Sequence, residues 1–92
     1  MPQQYAVLVY EYVTDILDRR GPYRDEHLAL LARGHEAGDV VMGGATGDPV
    51  TGGLVVFRTA EAAAAFVEAD PYGANGLVVR HRIEPYTVVT GD

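Results

Sequence analysis

A chain of 92 residues with seven Arg, no Lys, thirteen Asp and Glu, three His and no Cys carries a net charge of −6 and has room for one hydrophobic core. Without Cys there are no disulfides, thiolate metal sites or thiol nucleophiles, without Lys no Schiff-base chemistry, and the acidic balance disfavours nucleic acid and anionic membranes as partners. No apolar run nears the ~20 residues of a membrane span and Met1-Pro2-Gln3-Gln4 lacks the regions of a secretory signal, so a cytoplasmic protein with residues 1–92 in a single domain is expected.

Residues 5–12, Tyr-Ala-Val-Leu-Val-Tyr-Glu-Tyr, are β-branched, aromatic and apolar at both parities, the pattern of a strand covered on both faces. Val13 to Arg20 reads as a loop or a short helical turn. Pro22 suits the first position of a helix running from Tyr23 to Ala37, with Asp25 and Glu26 in its first turns and Gly38 ending it. Asp39 to Thr46 forms a second strand, in which Gly43-Gly44 marks a bulge or a close backbone approach. Gly47 to Gly52 has the composition of a hairpin loop, and Gly53 to Arg58 forms the third strand. Thr59 N-caps an alanine-rich helix from Ala60 to Ala69, which Asp70-Pro71 ends. Leu77 to Val89 forms the fourth strand, with Pro85 at an edge or bulge.

This order predicts an α+β, ferredoxin-like βαββαβ fold: a four-stranded antiparallel sheet with two helices on one face. The first strand is apolar on both faces, so the uncovered face is expected to meet the sheet of a second identical chain in a homodimer.

His27 begins the stripe His27, Leu30, Leu31 and Gly34 on the inward side of the first helix, and Asp70 ends the stripe Ala63, Phe66 and Val67 on the second. An ionisable group on an apolar stripe needs a partner. In one arrangement the two meet, and Asp70 orients and charge-stabilises His27 as a base. In the other, Asp70 caps the turn into Pro71 and His27 bonds a backbone carbonyl. The two helices are expected to run roughly parallel, which would set these residues at different heights. His81 shares the apolar parity of Val79 and Ile83, whereas Arg80, Arg82 and Glu84 take the other; it lines a pocket or packs at a sheet or dimer face. His35 has an adequate partner in the helix dipole. No His or carboxylate pair has a metal-ligand spacing, and the glycines form no phosphate-binding motif. Arg20 and Arg24 flank the start of the first helix, either as receivers of an anionic substrate or as solvated surface groups. Tyr72 is placed to hydrogen-bond a ligand or to plug the helix end.

Arg20-Gly-Pro-Tyr-Arg-Asp-Glu-His27-Leu-Ala-Leu-Leu, Gly47-Asp-Pro, Ala69-Asp70-Pro71-Tyr72 and Arg82-Ile-Glu-Pro-Tyr-Thr-Val-Val, in this order and spacing, resemble the YCII-related (YciI-like) proteins over nearly the whole chain. The resemblance implies a ferredoxin-like fold of the dimeric α/β-barrel superfamily. It also implies a site built on His27 and the aspartate of the Asp-Pro-Tyr turn, Asp70, which favours the dyad. Members with a proposed activity resemble cofactor-free enzymes acting on aromatic or quinone-like compounds, dehydrochlorination included. His81 departs from the pattern, since a larger aromatic residue is expected there.

The leading expectation is a cofactor-independent, metal-free enzyme of lyase or isomerase type. It would move a proton on a small cyclic or aromatic compound with His27 and Asp70, and Arg24, Tyr72 and His81 would contact the substrate. The alternative is a non-catalytic ligand-binding or regulatory module using the same cleft. A third reading makes the pair a structural contact that fixes helix packing.

Overall fold

Strand β1 (Gln3–Tyr12) sorts its side chains by parity: Ala6, Leu8 and Tyr10 are buried under the helices, and Tyr5, Val7 and Val9 turn to the opposite face. The computed structural model describes residues 3–91; Met1 and Pro2, the first half of the N-terminal stretch considered above, and Asp92 lie outside the described residues. β1 is flanked on both sides by antiparallel neighbours, β3 (Gly52–Phe57) and β4 (Val78–Val88), and β3 pairs in turn with β2 (Val40–Thr46). The sheet order is β2-β3-β1-β4, the expected α+β ferredoxin-like arrangement with helices packed on one face.

Pro85 lies in β4, at an edge of this sheet, where a missing N–H leaves no interior ladder incomplete. The irregularities fall elsewhere. Between Glu11 and Tyr12 the register against β4 slips, which leaves Val79 52% exposed and interrupts the apolar parity shared by His81 and Ile83. A second slip falls between Val40 and Met42 rather than at Gly43-Gly44; at Gly43 the neighbour is close, a Cβ there standing 3.2 Å from a Val55 methyl.

After a single turn, α1 (Ile16–Arg19), helix α2 (Gly21–Glu36) starts with Pro22 in its first turn and stops at Gly38, whose φ of 85° suits glycine. Helix α3 (Ala60–Ala69) has the expected bounds, and Thr59 Oγ1 accepts the Ala62 N–H at 3.1 Å. One further turn, α4 (Pro71–Ala74), follows directly: Asp70 ends α3 and caps α4, with Pro71 at the position proline prefers.

The expectation of parallel helices is corrected by the strand directions. β1 and β2 run one way and β3 and β4 the other, so α2, returning from β1 to β2, is antiparallel to α3, returning from β3 to β4. The start of α2 is thereby brought level with the end of α3.

The core gathers Leu8, Tyr10, Val40, Val55, Phe57, Ala63 and Phe66, and a smaller cluster joins Ile16, Tyr72 and Leu77. On the uncovered face Val7, Val9, Met42, Leu54 and Tyr86 line a shallow trough, with Met42 61% exposed. Among the described residues, no helix is long and apolar enough to cross a membrane.

Candidate active site

Of the sixteen residues of α2, His27 is the buried one, at 7% exposure, and it is held from the end of α3. Its Nδ1–H donates to Asp70 Oδ1 at 2.8 Å, and Asp70 is fully buried. The same oxygen accepts the Tyr72 N–H at 3.1 Å. The contact of the first arrangement and the cap of the second therefore coexist, with Asp70 capping its own turn and receiving the histidine; the expected bond from His27 to a backbone carbonyl is replaced by the one to Asp70. A carboxylate only accepts, so the contact fixes the neutral imidazole as the Nδ1–H tautomer and leaves the lone pair on Nε2.

The ring is also clamped by aromatics. Tyr72 stacks flat upon it, with centroids 3.8 Å apart and planes within 2°, and Phe66 meets it edge-on at 6.1 Å. α4 is thus the element that positions the His27 ring, since the turn begun by Asp70 carries the ring that covers it.

His27 opens on a cavity of about 230 Å³ between α2 and the β2–β3–β1 part of the sheet. On the helix-facing parity of the floor, Gly43, Ala45 and Gly53 project little or nothing, and the space exists because those positions are small. Gly53 is fitted closely, for a Cβ there would stand 2.8 Å from the Tyr12 hydroxyl. Tyr10, Tyr12 and Tyr72 also line the cavity, with Arg20 and Arg24 at the α1–α2 end.

Burial, reinforced by the Asp70 charge, pushes the Tyr10 and Tyr12 phenols far above their ordinary range. Tyr72 is raised by burial against the opposing pull of Arg24 and Arg20. All three are neutral hydroxyls at physiological pH. Among the described residues, the Tyr10 and Tyr72 hydroxyls and Asp70 Oδ2 are buried without a hydrogen-bond partner, and Asp70 bears on the Tyr10 phenol from close by.

Of the residues singled out in the sequence, the structure brings His27, Asp70, Arg24 and Tyr72 together. His81 is apart from them: it is exposed on β4 opposite Tyr10, edge-on to that ring at 6.4 Å, and does not line this cavity. Among the described residues, no three His, Asp or Glu side chains converge as a metal site. Tyr10, Tyr12 and the small floor residues were not singled out as site residues. The signal for the tyrosines lay in β1, where they continue the inward parity of Leu8.

The profile of the YCII-related domain matches residues 4–87 of the chain. Among solved structures, the chain is similar to the 5-chloro-2-hydroxyhydroquinone dehydrochlorinase (TftG) of Burkholderia phenoliruptrix, in complex with 2,5-dihydroxybenzoquinone; the TM-score is 0.73 over 89% of this chain and 92% of that one, at 22% identity. No curated sequence matches significantly. At that identity the likeness carries the fold alone, the ferredoxin-like arrangement described above.

Proposed function

The chain belongs to the YCII-related family, and from that premise we propose that it is a cofactor-independent enzyme that moves a proton on a small cyclic or aromatic compound, with His27 as base and Asp70 as its partner. The observation that supports this reading is the 2.8 Å contact between the two buried groups, with the His27 ring bordering the cavity. Nε2 takes a proton from the bound compound, and the electron pair left behind forms a new double bond as a leaving anion departs or a proton returns elsewhere. Asp70 stabilises the imidazolium while it lasts. Tyr72 holds the ring plane by stacking and Arg24 contacts the substrate at the cavity edge. Elimination of chloride from a chlorinated hydroxyhydroquinone, the type of compound named for the similar structure, is the first reaction to try.

Chloride release should be followed with the wild-type protein, His27→Gln and Asp70→Asn. His27→Gln is expected to lose roughly 10²–10⁴-fold in rate, the usual worth of a positioned base. Full activity in that variant would sink the reading. Saturable binding without turnover by the wild type would favour the non-catalytic ligand-binding module.

The sheet face away from the helices belongs to the same proposal. Its apolar side chains, half-buried Val7 and Val9 and exposed Met42, Leu54 and Tyr86, are covered by the corresponding face of a second copy.

A further inference from the structure

Among the described residues, three of the seven arginines have carboxylate partners: Arg19 with Asp15, Arg80 with Glu11 and Arg82 with Glu84. Arg33 and Arg58 are exposed. Arg20 and Arg24 differ from all of these: they are partly buried, both line the cavity beside His27, and neither has a carboxylate within 4.0 Å among the described residues. In a chain of net charge −6, two partly buried arginines with no carboxylate at hand among the described residues are a local exception to the charge around them. Desolvating such a group costs free energy unless an anion or several acceptors answer it.

We infer that the cavity receives its ligand as an oxyanion on a planar ring, a phenolate, enolate or carboxylate, with the charged oxygen on Arg20 and Arg24 and the ring beside His27. This deepens the proposed proton transfer and rests on that reading only for the part played by His27.

The other groups around the cavity suit such a guest. β1 supplies Tyr10 and Tyr12 and α4 supplies Tyr72, all kept protonated by burial, so they bring no negative charge to the cavity; the Tyr10 and Tyr72 hydroxyls are themselves buried. β2 and β3 contribute only Gly43, Gly44, Ala45, Gly53 and Val55, which are small or apolar and suit the flat of a ring. Among the described residues no carboxylate lines the cavity; Asp70 is fully buried behind His27 and engaged by it. Guanidinium groups hold planar oxyanions with paired N–H donors, and this geometry discriminates against a neutral isostere that lacks the charge. A bound acid would thus enter already ionised at one oxygen, and the proton removed by His27 would come from a different atom of the ring.

The probe is 4-nitrophenol, whose yellow phenolate reports its own ionisation near neutrality, with nitrobenzene as the uncharged isostere. Bound to the wild-type protein, the probe is expected to titrate about one unit lower than free, equivalent to phenolate binding roughly tenfold more tightly than phenol. Nitrobenzene should bind no better than the neutral phenol. Arg20→Gln with Arg24→Gln should abolish the shift, and Arg24→Lys, which keeps the charge, should retain part of it. An unshifted or raised titration, no binding of the phenolate, equal affinity for nitrobenzene, or a shift that survives the double substitution would each overturn the inference. His27→Gln separates the two proposals, because there the anion preference should persist while proton transfer is lost. Turnover by a wild-type protein with no anion preference would leave the dyad standing and remove the oxyanion site.

Discussion

At the scale of the residue, Asp70 Oδ1 does two jobs, accepting the N–H that starts α4 and the N–H that orients His27. Removing that oxygen leaves two donors unanswered in a buried corner. Asp70→Ala is expected to cost about 2–4 kcal/mol, the combined scale of a lost helix cap and a stranded buried donor. Asp70→Asn keeps an accepting oxygen in place and should cost about 1 kcal/mol or less, while losing the charge that stabilises the imidazolium. Urea unfolding at one fixed protein concentration compares the two variants. Equal stability of Asp70→Ala and the wild type would mean that the cap carries no weight.

At the scale of the element, the stripe through His27, Leu30, Leu31 and Gly34 was legible because the helical period was clean, and the bounds of α3 followed from Thr59 and Pro71. α4 is not legible, because Asp-Pro reads as a stop and is also a start: an aspartate cap followed by proline begins a helix as readily as it ends one. The relative direction of α2 and α3 is not legible either, nor are the heights of His27 and Asp70. Residue types on one chain fix neither; the pairing of the strands does. The cavity floor escaped notice for a related reason, since Gly43 and Gly53 declare their role only when β2 and β3 are seen in register. Gly34 shows how closely α2 sits on the sheet, for a Cβ there would stand 2.7 Å from Val40 Cγ2. Gly34→Ala should therefore destabilise the fold by about 1–3 kcal/mol despite alanine's better helix propensity, and Val40→Ala in the same chain should recover part of that loss. Additive losses in the double variant would show that the helix shifts to make room.

At the scale of the whole molecule, the sheet has one face under helices and one bare, and the bare face carries side chains a solvated surface rarely groups together. The proposed second copy is tested by sedimentation. The wild type should run at twice the chain mass, and Leu54→Glu, a change on the bare face, should weaken association at least tenfold, about 1.4 kcal/mol. That substitution lies across the sheet from His27 and Asp70, so their contact should survive it. A monomeric wild type at high concentration would leave the face to some other occupant.

The shared oxygen of Asp70 also bears on how such a protein would age. Once selection for activity lapses, His27 is released to any residue that still answers Asp70: a donor such as Gln empties part of a place beside a cavity that already exists, and the turn into α4 keeps its cap. Replacing Asp70 undoes that turn and with it the seat of Tyr72 and the wall it forms. In a lineage that has given up its reaction, the aspartate should outlast the histidine, persisting as a relic that marks where a base once stood.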